Sequence, residues 1–182
     1  MRKIYLSMLT MLFVSGALFA QDFSSPDSWF TYDDKEAPNN GSSSISMKSA
    51  KEGDALAVSV TGSVTKKFQY GFAGFGVNPS KTELERLKAA KGIKFKVIGD
   101  GRAYRVRVEI SNVKDYNHYG KVFITKPGQV VEVIVPYASL EQEPWGTKLV
   151  FKKGNIQKIS FQTTEQPISK FELKIISMEI MP

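Results

Sequence analysis

The side chains that could perform catalysis are few and widely spaced in this sequence. It contains no Cys and only one His, His118, which lies in a polar segment after a predicted strand. A Ser-His-Asp triad would need this His, but the sequence has no nucleophile-elbow motif around any Ser. No partners lie at metal-ligand spacing, so His118 does not predict a zinc site. Two roles remain open for His118: an exposed loop residue, or a residue that contacts a ligand.

Paired carboxylates, the minimum for hydrolysing a glycosidic bond, are also difficult to assemble. Glu109 and Glu132 lie on predicted strand faces opposite the core, and Arg105 and Arg107 share the face of Glu109. Because the guanidinium groups favour the ionised carboxylate, they oppose the raised pKa that a general acid needs. We therefore expect the protein not to be an enzyme.

The same polar residues, combined with aromatic rings, suit a different chemistry. A sugar presents C–H faces and hydroxyl groups, so it is bound by flat Tyr or Trp rings beside Arg, Glu or Gln side chains. Of the seven Tyr, Tyr70, Tyr116 and Tyr119 lie near polar or charged residues. Exposed strand faces often carry these residue types as well, so a sugar site and an ordinary solvated face both remain open.

The elements that must position these residues are mainly β-strands. Apolar and polar residues alternate in at least six segments, a pattern that is typical of half-buried strands. In the clearest of them Tyr104, Val106 and Val108 are predicted to face the core, while Arg105, Arg107 and Glu109 face outward. Near Ile175 the apolar set changes parity, which predicts a β-bulge. The whole pattern predicts an all-β fold, a two-sheet antiparallel β-sandwich over residues 29–182.

One short helix and one glycine-rich strand complete the prediction. Ser80-Lys81-Thr82-Glu83 is a capping-box pattern that begins a helix ending before Gly92. Gly71-Phe72-Ala73-Gly74-Phe75-Gly76 is not a dinucleotide fingerprint, because Pro79 intervenes and no helix follows at the needed spacing. Glycines inside a strand favour close approach by large neighbouring side chains.

The first twenty residues predict export. Arg2 and Lys3 precede an apolar run to about Phe19, and Ala20 ends it, which is the layout of a secretory signal peptide. Cleavage there would leave a flexible lead-in at residues 21–28 and a protein in the periplasm or outside the cell, with no later transmembrane segment. Without the leader, 23 Lys and Arg face 18 Asp and Glu. The basic residues are scattered, so we expect no nucleic-acid partner.

The order of the motifs resembles that of a known family. Its most specific piece is Gly99-Asp100-Gly101-Arg102-Ala103-Tyr104, a turn that enters a strand. The other pieces are Trp29-Phe30-Thr31-Tyr32-Asp33-Asp34, Asn40-Gly41-Ser42-Ser43-Ser44-Ile45, the glycine-rich segment, Val135-Pro136-Tyr137, Trp145-Gly146 and Ile159-Ser160-Phe161-Gln162. This order resembles the galactose-binding-like jelly roll, in the branch that holds family 11 carbohydrate-binding modules and the complex I intermediate-associated protein 30 domain. The resemblance covers nearly the whole chain after the leader.

The resemblance implies a concave sheet that binds β-glucan through tyrosines and charged residues. It also implies one or two structural calcium ions in some members, for which Asp33 and Asp34 are the candidate ligands here. Together with strand parity, it predicts a ligand site made of Tyr70, Arg105, Arg107, Glu109, Glu132 and Gln162, closed at one edge by Tyr116, His118 and Tyr119. Such a mixture of guanidinium, carboxylate and amide groups suits neutral, hydroxyl-rich ligands better than phosphate.

Two functions are therefore open. The first is an exported, non-catalytic protein that binds a polysaccharide or oligosaccharide, with β-glucan as the expected type. The second is a structural or scaffolding protein of the envelope or cell surface, which would use the same sandwich for contacts with other proteins. A fold by itself does not decide between them.

Overall fold

Two five-stranded antiparallel sheets lie face to face in the computed structural model, which describes residues 22–52 and 55–182. The predicted signal peptide and Gln21 lie outside the described residues. The described strands are β1 (Trp29–Asp33), β2 (Ser44–Glu52), β3 (Ala55–Val64), β4 (Ala73–Val77), β5 (Gly92–Gly99), β6 (Ala103–Ile110), β7 (Tyr119–Ile124), β8 (Val131–Pro136), β9 (Ile156–Thr163) and β10 (Ile168–Met181). Helix α1 spans Lys81–Ala89.

The first sheet has the strand order β1-β4-β9-β6-β7, and the second has the order β2-β3-β10-β5-β8. All the strand pairs are antiparallel. The predicted two-sheet antiparallel β-sandwich is therefore confirmed. The predicted bulge is present too, because the pairing of β10 with β5 shifts register between Ile175 and Ser177.

Aromatic side chains join the two sheets across the core. Phe95 of the second sheet packs edge-on against Phe161 and Phe123 of the first, with ring centroids 5.2 and 5.1 Å apart. Phe75 stacks on Phe161 at 4.9 Å. Each such pair adds about 0.5–1.5 kcal/mol to the stabilisation from burial. The predicted alternation on β6 is confirmed, since Tyr104, Val106 and Val108 are at most 2% exposed.

Helix α1 begins at the predicted capping box. Ser80 Oγ accepts a hydrogen bond from Glu83 N at 3.3 Å, and Glu83 Oε2 accepts one from Ser80 N at 2.8 Å. Leu87 is completely buried and attaches the helix to the core. This is the one α-helix among the described residues, and no helix there is long and apolar enough to cross a membrane.

The sequence predicts a flexible lead-in at residues 21–28, but its first described residues pack against the sandwich. Asp22 forms an ion pair with Arg86 and accepts a hydrogen bond from Ile180 N at 2.9 Å. Phe23 is 1% exposed, and its carbonyl accepts a hydrogen bond from Trp29 Nε1 at 3.1 Å. The structure thus packs these two residues against the core where the sequence predicts a flexible segment, because the polar character of the segment hides the apolar Phe23 side chain that anchors it.

Candidate functional site

The outward face of the first sheet has an aromatic half. On β1, Tyr32 and Phe30 lie across the glycines of β4. A Cβ atom on Gly74 would lie 2.3 Å from the Tyr32 ring, and one on Gly76 would lie 2.7 Å from the Phe30 ring. The interpretation that these glycines admit large neighbours is therefore confirmed.

Next to the aromatic half, β9 and β6 place polar side chains opposite one another. Gln162 is paired in register with Arg105, and Ser160 with Arg107. Arg107 Nη1 donates a hydrogen bond to Gln162 Oε1, and the Tyr32 hydroxyl donates to the same oxygen at 3.4 Å. Because Oε1 accepts both bonds, the amide nitrogen is the group that Gln162 can offer to a ligand.

Three of these side chains, Arg105, Arg107 and Gln162, form the floor of a pocket of about 260 Å³. Residues 163–166 close one end together with Tyr70 and Gly71, and the other end is formed by Tyr116, His118 and Glu143. Tyr70 is 68% exposed and Tyr116 is 78% exposed, so both rings are free to contact a ligand. Six of the predicted site residues thus line one pocket: Tyr70, Arg105, Arg107, Tyr116, His118 and Gln162.

Two predicted site residues lie elsewhere. Tyr119 is the first residue of β7 and pairs with Val108, so it has core parity; it is 9% exposed, and its hydroxyl donates to Leu149 O. Glu132 is exposed on β8, an edge strand of the second sheet, and so does not share a sheet with β6. The structure therefore does not bring either residue to the pocket. A period of two specifies which side of a strand faces solvent, but not which sheet contains the strand.

Glu109 shares the outward face as predicted but lies outside the pocket, where it is 9% exposed. Its Oε1 accepts a hydrogen bond from Ser160 Oγ at 2.5 Å. Its Oε2 lies 3.4 Å from Lys158 Nζ and 3.6 Å from His118 Nε2. The carboxylate therefore orients the His118 ring at one end of the pocket.

The imidazole of His118 is neutral at neutral pH. Burial, the largest effect, lowers its pKa to about 4, although the neighbouring Glu109 opposes this shift. Nε2 faces the Glu109 carboxylate, whereas the buried Nδ1 has no hydrogen-bond partner within the described chain. With the proton on Nε2, Nδ1 is an acceptor that a ligand donor can satisfy.

We expect His118 to titrate near pH 4 instead of near 6.5, its ordinary pKa. Because the unfolded state binds this proton more tightly, the free energy of unfolding should fall as the pH decreases from about 6.5 to about 4. The chain has a single His, so NMR titration of its imidazole resonance measures the pKa directly. A midpoint above pH 6 would contradict the assignment. The control is His118→Gln, which should lose less stability than the parent over the same range.

Two loops support the Tyr116 and His118 end of the pocket by binding each other. Asn117 is 1% exposed; its Oδ1 accepts a hydrogen bond from Glu143 N at 3.0 Å, and its Nδ2 donates to Glu143 O and Trp145 O. Asp115 accepts hydrogen bonds from Asn117 N at 3.1 Å and Thr147 N at 2.7 Å. These backbone donors hold the pKa of Asp115 below its usual value. The loop that carries Tyr116 is therefore fixed by its neighbour.

Sequence analysis missed the pocket residues Glu143, Thr163, Thr164, Glu165 and Gln166. Residues 164–166 follow β9, and Glu143 lies in the loop after β8, where no periodicity indicates an orientation. The available signal for Glu143 was the nearby Trp145, which is 48% exposed and donates a hydrogen bond from Nε1 to Glu143 Oε2 at 3.1 Å.

Asp33 and Asp34 do not fit a calcium site. Asp34 is completely buried, and its two carboxylate oxygens accept hydrogen bonds from Ser43 N at 2.9 Å and Ser43 Oγ at 2.7 Å. Asp33 forms an ion pair with Lys35 at 3.0 Å. Calcium needs six to eight oxygen ligands, often from several carboxylates. No group of three or more His, Cys, Asp and Glu residues with metal-binding geometry occurs in residues 22–52 and 55–182.

The family model of complex I intermediate-associated protein 30 matches residues 18–175. The fold is similar to that of the family 11 carbohydrate-binding module of the cellulosomal cellulase Lic26A-Cel5E of Clostridium thermocellum, with a TM-score of 0.59 and 16% identity over 86% of this chain and 92% of that chain. A family 11 module from Clostridium thermocellum in complex with a β-1,3-1,4-mixed-linked tetrasaccharide gives a TM-score of 0.57 and 19% identity over the same shares. No curated protein matches the sequence.

Proposed function

Because the chain belongs to the complex I intermediate-associated protein 30 family, and its sandwich has the fold of carbohydrate-binding modules, we propose that its pocket binds carbohydrate without catalysis. One observation carries the proposal: the guanidinium and amide groups of the floor lie in a pocket that also contains two highly exposed tyrosines, Tyr70 and Tyr116. Aromatic rings contact the C–H faces of a sugar, and the polar groups bind its hydroxyls.

The ligand that we propose is a β-glucan-type polysaccharide. The pocket, at about 260 Å³, is smaller than the roughly 300–1,000 Å³ of typical small-molecule sites. A pocket of this size suits one segment of a longer chain that continues past the exposed tyrosines. One family 11 module of similar fold is in complex with a β-1,3-1,4-mixed-linked tetrasaccharide, which makes mixed-linked β-glucan the first compound to test.

The sharpest single-residue test uses two glutamines of the same strand. Gln162 lies in the pocket floor, whereas Gln157 is exposed on β9 outside the pocket. We expect Gln162→Ala to weaken glucan binding about tenfold, because it removes the amide donor and frees the Arg107 side chain. Gln157→Ala is the matched control and should bind like the parent. Isothermal titration calorimetry measures both affinities.

Two outcomes of that experiment would contradict the proposal. If the parent protein binds no glucan and no other glycan, neutral or acidic, a role in protein–protein contacts takes precedence. If the parent binds glycan but Gln162→Ala and Gln157→Ala bind equally well, the ligand lies on a different surface. Melting temperatures of both variants establish that each remains folded.

We also propose that the protein acts outside the cytoplasm. The support is the basic start, apolar run and Ala20 of the first twenty residues. The protein recovered from the periplasm or medium should have an intact mass that corresponds to a chain beginning at about Gln21. Recovery of the uncleaved chain in the cytoplasm would contradict export without affecting the carbohydrate site.

A further inference from the structure

We propose that the pocket prefers carbohydrate that carries carboxylate groups, such as a polyuronate, over a neutral polysaccharide with the same linkages. This inference rests on the proposed function, since it specifies the ligand class of the same pocket. The observation that carries it is a pair of floor guanidinium groups, Arg105 and Arg107, neither of which forms an ion pair within the described chain.

The carboxylates that the sequence places beside these arginines are not available in the structure. Glu132 lies on the other sheet, and Glu109 is occupied by Ser160 and Lys158 outside the pocket. Neither of these two carboxylates therefore forms an ion pair with Arg105 or Arg107.

Neutral oxygens take the place of those carboxylates. Arg105 Nη2 donates to Glu141 O, and Arg107 donates to Gln162 Oε1 and, at 3.1 Å, to Tyr116 O. Burial lowers the pKa of Arg105; Glu143 opposes that shift, and Arg107 adds to it. A partly buried cation gains most from an anionic partner when its existing acceptors are neutral.

The two acidic residues that line the pocket compensate this charge only in part. Glu165 pairs with Arg102, with Nη1 and Oε2 3.2 Å apart. Glu143 accepts a hydrogen bond from Trp145 Nε1 at 3.1 Å. The lining therefore contains two guanidinium and two carboxylate groups, but neither carboxylate forms an ion pair with Arg105 or Arg107.

Two residues of the lining also have acceptor atoms without a partner, which favours an anion that brings hydroxyl donors with it, such as a sugar acid. Among the described residues, His118 Nδ1 and Gln166 Oε1 are buried and have no hydrogen-bond partner. Inorganic phosphate and sulfate offer few or no donors at neutral pH, whereas a uronate combines ring hydroxyls with a planar carboxylate. A guanidinium fork binds such a carboxylate with two parallel hydrogen bonds.

The test compares two tetrasaccharides that differ only at C6: the mixed-linked β-glucan tetrasaccharide and its counterpart with the C6 hydroxymethyl groups oxidised to carboxylates. Calorimetry at low salt should give about tenfold tighter binding of the oxidised compound, because charge-assisted hydrogen bonds are roughly twice as strong as neutral ones. Arg105→Gln and Arg107→Gln should each remove most of this preference. Lys96→Gln removes an equal charge from the other sheet and should leave the preference intact.

The outcomes distinguish this inference from the proposed function. If both tetrasaccharides bind equally well, the charge preference is wrong and carbohydrate binding stands. If neither binds, and a wider glycan panel also fails, the proposed function is wrong and this inference fails with it. If Lys96→Gln reduces the preference as much as the arginine variants, the attraction is a general effect of net charge and the pocket assignment is wrong. Arg107→Lys keeps the positive charge but lacks the planar guanidinium group, so it should retain only part of the preference for the oxidised compound. This variant separates the loss of guanidinium geometry from a loss of preference caused by a folding defect.

Discussion

Replacing Val106 with Asp is expected to abolish folding at 25 °C. Val106 is completely buried on β6, an inner strand of the first sheet, where it pairs with Phe161 of β9 and Lys121 of β7. A carboxylate buried there would have to draw the Lys121 ammonium away from Ile134 O, and an uncompensated buried charge costs about 3–5 kcal/mol. The lost burial of Val adds about 1.5–3 kcal/mol. The sum is comparable to the total stability of a typical domain, about 5–15 kcal/mol.

Far-ultraviolet circular dichroism and urea titration measure this effect. The matched control is Val122→Asp on the neighbouring strand β7, where Val122 is 47% exposed. That variant introduces the same carboxylate into the same sheet but leaves it exposed to water. The midpoint of its urea-unfolding transition should therefore lie close to that of the parent. Arg107→Ala, one position along β6, should also fold. A cooperative transition of parent-like midpoint in Val106→Asp would mean that the side chains of β6 have been assigned to the wrong faces.

The fold could be predicted because the information that specifies it is local. On β6 the alternation of Tyr104, Val106 and Val108 with charged residues leaves one arrangement that buries apolar groups and solvates charges. The capping box at Ser80 and the change of parity near Ile175 are likewise short patterns, each with one structural solution.

The site could be predicted only in part because it depends on which strands are neighbours. Gln162 and Glu132 have equivalent positions in their own strands, both outward, yet β9 pairs with β6 and β8 pairs with β5. That difference is set by long-range pairing, which no local pattern encodes. Glu143 reaches the pocket because its loop binds Asn117, a contact that spans 26 residues of sequence.

The two exposed tyrosines differ in what holds them in place. Tyr70 contacts Phe68 edge-on, with ring centroids 5.8 Å apart. Tyr116 has a backbone φ of 64°, a conformation that large side chains rarely adopt. Its carbonyl accepts hydrogen bonds from Arg107 Nη2 at 3.1 Å and from His118 N at 2.8 Å. A bulky side chain kept in a costly backbone conformation, and still 78% exposed, contributes little to folding and is suited to contact a ligand.

The double variant Tyr70→Ala/Tyr116→Gly should therefore bind glycan about 100-fold more weakly than the parent and still fold. Each ring supplies a stacking contact of about 1–1.5 kcal/mol, or roughly tenfold in affinity. Glycine adopts positive φ freely, so Tyr116→Gly relieves the backbone strain at residue 116. Glycine also loses more conformational entropy than tyrosine on folding, and the two effects oppose each other. The free energy of unfolding should therefore change by less than about 1 kcal/mol. Calorimetry and urea titration of the same preparations measure both quantities.

The control Ile124→Ala/Val150→Ala removes two exposed apolar side chains, 67% and 73% exposed, that lie outside the pocket, and should bind like the parent. Parent-like affinity in the tyrosine variant would exclude the pocket as the glycan site, whereas an equal loss in both double variants would indicate a nonspecific apolar contact.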